Sequence, residues 1–156
     1  TLSLALSIPI FAAPPSITLP MYGSILYSIS RPRYCNGSFW DSEDGKKSFT
    51  KILKDSNNEI FIMILNDQII GMMQLTFIPG LSMEGMTRCQ IESVRIKKDY
   101  RNKGYGSELM KKGIEIAKLN KCGLIQLTSN KERLKAINFY KKLGFLSTHK
   151  SFKLDL

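Results

Sequence analysis

The chain reads as an α/β fold with a mixed sheet. Two apolar runs parted only by Asn66-Asp67, within "EIFIMILNDQIIGMMQLTFIP", predict an antiparallel hairpin. A third, β-branched run ends at a glycine turn that opens a helix at once. The resulting order, β-β-β-α-β-α-β, places hairpins first and a helical crossover after them. Such an order mixes antiparallel with parallel pairing.

The elements follow in turn. Lys46 to Lys54 predicts a short helix, closed by the turn "DSNN". Strands are expected at about Glu59–Leu65 and Gln68–Ile78, and Pro79-Gly80 stops the second. "LSMEGM" reads as a loop, and "TRCQIESVRI" as a strand over Thr87–Ile96. A helix from about Gly104 to Leu119 carries Leu109, Met110, Gly113, Ile116 and Ala117 on its apolar side. "GLIQLTS" predicts a continuous apolar strand, Gly123–Ser129, and "KERLKAINFYKKLG" a second helix ended by Gly144. "FLSTHKSFKLDL" closes with one or two strands.

Length and composition set bounds. At 156 residues, 43% hydrophobic and 23% charged, the chain suits one soluble domain with a core of its own. It has no apolar run of the roughly 18 residues that a membrane helix needs. Cys35, Cys89 and Cys122 are widely spaced and odd in number, which fits neither a disulfide framework nor a C-x-x-C metal site. They read as buried small side chains in a reducing, cytoplasmic protein. The formal net charge is +10, with +11 over residues 46–156 and −1 over residues 1–45. That field attracts anions, although lysines spread this evenly also suit solvated helix faces.

Residues 1–45 stand apart and are left unassigned. Leu2 to Ala13 looks like the apolar core of a secretory signal but lacks a positive flank and an A-x-A site. Pro14, Pro15 and Pro20 break any helix there, and Trp40 lies in a stretch without helical period.

The chemistry concentrates in "VRIKKDYRNKGYGSELMKKGIEIAK". A strand, a glycine-rich turn and a helix make an anion site, because the first helical N–H groups lack partners and the helix dipole adds positive character. Gly104 and Gly106 remove β-carbons near the anion, and Arg101 and Lys103 add charge. There is no G-x-x-x-x-G-K-[ST], and Leu109 stands where a dinucleotide fingerprint needs its third glycine. A pyrophosphate cradle of the form R-x-x-G-x-G remains.

"IESVRIKKDYRNKGYGSELM" resembles motif A of the GNAT superfamily of N-acetyltransferases, and "NKERLKAINFYKKLGF" resembles the family's second motif. The likeness covers about residues 57–156 and includes a small bacterial branch of the family. It implies a GNAT-type α/β domain over residues 46–156. Its sheet would be mixed and mostly antiparallel, with flanking helices and a splayed central parallel pair, Thr87–Ile96 with Gly123–Ser129. It implies acetyl-CoA as cosubstrate, direct transfer to a primary amine, and no metal. Backbone groups of Val94, Arg95 and Ile96 would pair with the pantetheine arm. N–H groups of Arg101, Asn102, Lys103, Gly104, Tyr105, Gly106 and Ser107 would hold the pyrophosphate, and Asn130 would touch the pantetheine. Glu92 would take a proton from the amine through water, and Tyr140 would protonate the leaving thiolate. An alkylammonium ionises near pH 10, so it must shed a proton before it attacks.

Plainer readings stand beside these. Glu92 could be an exposed strand residue, although alternation puts it on one face with Val94 and Ile96. Tyr140 could be core filler with a hydroxyl at the rim. Arg133, Lys142 and His149 suit a solvated surface as well as a site. The alternatives for the whole chain are a non-catalytic acyl-CoA-binding module, an inactive fragment, or a basic nucleic-acid binder. The partner expected is a small-molecule or amino-group acceptor, with no nucleic acid and no membrane. A homodimer is compatible with the sequence.

Overall fold

The computed structural model describes residues 2–5, 43–66 and 68–156. Its sheet has five strands in the order β1-β2-β3-β4-β5: Leu2–Ala5, Asn58–Leu65, Gln68–Pro79, Thr87–Ile96 and Leu124–Leu127. The first four pair antiparallel in sequence order, and β4 pairs parallel with β5. The helices are α1 (Glu43–Lys54), α2 (Tyr105–Leu119) and α3 (Leu134–Lys142). The mixed sheet with one crossover pair is the architecture expected from the element order.

Alternation along the strands builds two cores, one on each face. Phe61, Met63, Met73, Leu75, Phe77, Cys89 and Ile91 point to the face where Leu109, Met110, Ile116 and Ala117 of α2 cover them. Ile60, Ile62 and Met72 point the other way, onto Phe49 of α1. The five residues expected on the apolar side of α2 are its buried residues. Helix α1 starts at Glu43, ahead of the expected Lys46, and has Glu43 and Asp44 in its first turn, where the helix dipole favours negative charge.

Four expectations need correction. "LSMEGM" is not an open loop: Met83 and Glu84 take left-handed backbone angles in a tight turn. The strand expected over Gly123–Ser129 shrinks to Leu124–Leu127 and is exposed to half-buried. Among the described residues it is the last strand of the sheet, with a neighbour on one side, so its apolar run is not covered all round by them. Helix α3 begins at Leu134 because Lys131–Arg133 are taken up by a turn built on Asn130. No strand forms over residues 145–156. Phe152, Leu154 and Leu156 are exposed, and Lys153 pairs with Asp155 at 2.7 Å. Strand-like alternation alone does not make a strand, which needs a ladder partner.

Leu2–Ala5, inside the stretch with signal-like composition, pair with Ile62–Leu65 at the sheet edge. The prolines, Cys35 and Trp40 lie outside the described residues. Among the described residues no helix is long and apolar enough to cross a membrane, and no cluster of His, Cys, Asp and Glu could hold a metal ion.

Candidate active site

The site begins with an irregularity in β4. Met72 pairs with Arg95, but Gln74 pairs with Glu92, so Met73 faces both Ser93 and Val94. This is a β-bulge, and Ser93 adopts φ 53° to make it. One extra residue reverses the alternation beyond it. Val94 and Ile96 therefore pack with Ile91 on the α2 face, and Glu92 lies on the α1 face beside Gln74. The sequence expectation that Glu92 shares a face with Val94 and Ile96 is wrong, because simple alternation cannot anticipate a bulge.

At the same point β4 loses its parallel neighbour. The last β4–β5 pair is Ile91 with Leu127. Beyond Ile91 the β4–β5 register ends, so β5 does not pair with β4 from Glu92 to Ile96. Glu92 and Ser93 are exposed, and Val94, Arg95 and Ile96 are half-buried. An unpaired strand edge offers N–H and C=O groups to any extended chain laid beside it.

The glycine turn lies just past that edge. A 3-10 turn, Lys98–Tyr100, leads into it, and Arg101 folds back so that its Nε donates to the Ile96 carbonyl at 2.9 Å. Gly104 is the N-cap of α2 at φ 88°, ψ −21°, a conformation that costs any other residue. A β-carbon there would meet nothing within 4 Å, so the backbone angle, more than crowding, explains the glycine. The Gly104 carbonyl accepts from the Ser107 and Glu108 N–H groups at 2.9 and 3.1 Å, and Arg101 N–H donates to Lys98. The N–H groups of Asn102, Lys103, Gly104, Tyr105 and Gly106 find no acceptor among the described residues. Of the seven donors named from the sequence, five thus remain to hold an anion.

Tyr100 was not singled out by sequence reasoning, although it immediately precedes the R-x-x-G-x-G stretch. Lys97 and Lys103 lie over its ring, 5.9 and 5.7 Å from the centroid. Its ring also sits 6.1 Å from that of Tyr105. Tyr100 so keeps two cations beside the turn by ring–cation attraction.

On the α2 face, α3 packs against the start of α2, and Phe139 lies next to Gly106. Tyr140 is half-buried between Phe139 and Phe145, at ring distances of 5.2 and 6.0 Å. Burial raises its hydroxyl above the usual tyrosine range, and the Arg133 charge partly opposes that. The group stays protonated at neutral pH. Asn130 is exposed; its Oδ1 accepts from the Glu132 N–H at 2.9 Å, which leaves its amide N–H₂ to donate outward. His149 is exposed, with Nδ1 2.7 Å from the Thr148 hydroxyl, on a tail that joins no strand.

Glu92 and Tyr140 consequently occupy opposite faces of the sheet. The stretch of β4 that β5 leaves lies between those faces, and a helix N-terminus with five open donors lies at its end. A strand edge that ends at a helix N-terminus with open N–H groups can take an extended ligand carrying an anion. The model of the Acetyltransferase (GNAT) family matches residues 24–145, so the chain belongs to that family. The match starts inside the stretch left unassigned from sequence.

A Bacillus halodurans C-125 protein described as a transcriptional regulator is 33% identical, with a TM-score of 0.75 over 89% of this chain and 95% of that one. Streptothricin acetyltransferase A of Bacillus subtilis is 27% identical over 82% of this chain and 70% of its own length. The glucosamine 6-phosphate N-acetyltransferase of Trypanosoma brucei brucei is 32% identical over 57% of this chain and 58% of its own. The chain spans about half the length of two of the curated relatives it matches.

Proposed function

We propose that the chain is an acetyl-CoA-dependent N-acetyltransferase that passes an acetyl group to a primary amine by direct attack. The observation that carries this reading is the row of five N–H groups, Asn102 to Gly106, without an acceptor among the described residues, at the end of the β4 edge that β5 leaves, flanked by Glu92 and Tyr140. The row would hold the pyrophosphate, with Lys97, Arg101 and Lys103 adding charge. The edge from Val94 to Ile96 would take the pantetheine as an added strand, with Asn130 on its other side. When bound, acetyl-CoA supplies the thioester that the amine attacks.

Glu92 accepts the proton that the ammonium must lose, through water, from the α1 face. Tyr140, whose hydroxyl burial raises above the usual tyrosine range, donates to the thiolate from the α2 face. A C–N bond forms and a C–S bond breaks. The names of two relatives specify small-molecule acceptors, glucosamine 6-phosphate and streptothricin, which favours a small acceptor here.

Thermal melting with acetyl-CoA, ATP or NAD tests the cofactor. At about 100 times its Kd, acetyl-CoA adds about 2.7 kcal/mol, a shift of several degrees that ATP and NAD do not match. Absence of that shift in a cooperatively melting protein refutes the reading. If the shift is present but Glu92→Gln and Tyr140→Phe leave turnover unchanged, the chain is an acyl-CoA-binding module instead. A second reading, nucleic-acid binding, is favoured by the net charge of +10 and by the description of the Bacillus halodurans relative. It requires DNA or RNA binding that weakens steeply with salt.

A further inference from the structure

Among the described residues, the Ser129 hydroxyl is the one buried side-chain oxygen without a hydrogen-bond partner. Such an atom is costly, because it has given up its bonds to water and regained none. Most buried hydroxyls escape that cost by rotating onto a nearby carbonyl, and this one does not. An alanine in its place would keep the same methylene carbon and carry no such cost. The residue as a whole is half-buried.

Ser129 lies where the two parallel strands separate. Their last pair is Ile91 with Leu127, and Ser129 follows Leu127 by two residues, at most about 7 Å further along. Because β4 and β5 run parallel, that is also the direction of the glycine turn. Across the gap, β4 passes through the bulge at Ser93 to Val94. The Lys97 N–H donates to the Ile70 carbonyl at 2.7 Å, so Ile96, and Val94 by alternation, turn their N–H and C=O groups away from β3 and toward the gap. The chain around Ser129 is held in place. Asn130 accepts the Glu132 N–H on Oδ1 at 2.9 Å and the Arg133 N–H on its carbonyl at 3.0 Å.

Resting on the acetyltransferase reading, we propose that Ser129 is a ligand-binding residue, and that its hydroxyl is completed by a secondary amide of the carrier arm lying in the gap. A secondary amide has one N–H and one C=O. The β4 edge takes one of them, and a hydroxyl on the opposite side, which both donates and accepts, takes whichever is left. The free protein already bears the cost of the dry hydroxyl, so the ligand gains this bond without displacing water from it. Ser129 lies on the glycine-turn side of the last β4–β5 pair, where the arm runs toward the cradle. It therefore grips the arm and leaves the reacting thioester to Glu92 and Tyr140.

The test is Ser129→Ala in the full chain, with the exposed neighbour as control in Thr128→Ala. Melting without ligand is measured beside calorimetric titration with acetyl-CoA and with CoA. Ser129→Ala should melt no lower than the parent protein, and its Kd for both ligands should rise about three- to tenfold. Thr128→Ala should leave both Kd values unchanged. A lower melting temperature for Ser129→Ala overturns the proposal, because the hydroxyl then has a partner within the protein. Unchanged Kd values overturn it as well, because no ligand then completes the hydroxyl, and so does an equal rise in Thr128→Ala. A rise for acetyl-CoA without one for CoA overturns the arm as the partner, since only the acetyl group is then touched. Each of these results leaves the acetyltransferase reading standing. Absence of acetyl-CoA binding by the parent protein overturns that reading, and the proposal with it.

Discussion

Replacing Gly104 with alanine isolates the backbone requirement of the turn. Gly104 has φ 88°, and a β-carbon there touches nothing within 4 Å, so the whole cost is conformational. That cost is about 1–2 kcal/mol for an L-residue held left-handed. For a domain of this size it lowers Tm by about 2–8 °C. A chain that escapes the strain must rotate Gly104, whose carbonyl holds Ser107 and Glu108 N–H. Rotation would tilt the five open donors away from a common anion. Gly85 offers the control, since it has φ 81°, an equally open surround and a place in the Met83–Glu84 turn. The assay is melting of Gly104→Ala and Gly85→Ala with and without acetyl-CoA. Both variants should melt lower, and only Gly104→Ala should lose most of the acetyl-CoA shift. If both retain the full shift, or both lose it equally, the argument that this turn holds the ligand is wrong.

Other outcomes follow from the same structure. Glu92→Gln and Tyr140→Phe should each cut kcat by about 10²–10⁴ and leave the acetyl-CoA melting shift intact, as measured by steady-state rates and by melting. Asn58→Ala should cost about 1–3 kcal/mol in urea unfolding, because Asp55, Gln74 and Thr76 lose their shared partner at a buried position. Burial, then the nearby Cys122 and Glu59, push the Cys89 thiol from 9.0 up to about 12. A thiol raised in the folded state gives stability that is complete below pH 9 and declines as pH climbs from 9 toward 12. Urea midpoints across that range should fall less in Cys89→Ala than in the parent.

What was legible in the sequence is what depends on local chemistry. The antiparallel pairing of β2 with β3, the span Thr87–Ile96 and the buried stripe of α2 follow from periodicity and turn residues, and the structure has them. The helix start at Gly104 follows from glycine chemistry. The misses depend on partners. Among the described residues, 145–156 alternate like a strand but join no ladder, and the shorter β5 is paired on one side. The polar row on the α1 face was illegible for the same reason. Asn58, Thr76, Gln90 and Gln126 are scattered through the sequence and become a row only once the register of four strands is known.

The bulge at Ser93 shows how one residue sets the site. Ile91 and Val94 lie on the same face with two residues between them, where a regular strand would have one. Deleting Ser93 would leave Ile91, Val94 and Ile96 on the α2 face and Glu92 and Arg95 on the other, in regular alternation. The deletion therefore keeps both cores and removes a residue at φ 53°, so the protein should fold with stability within about 1 kcal/mol of the parent. What it removes is the bend that a bulge imposes, at the point where β4 leaves β5. A straightened β4 would run on beside the chain after Leu127 and close the edge from Val94 to Ile96. Cooperative melting near the parent Tm, with the acetyl-CoA shift gone, is the expected result. A deletion variant that folds and keeps the full shift would show that the open edge owes nothing to the bulge.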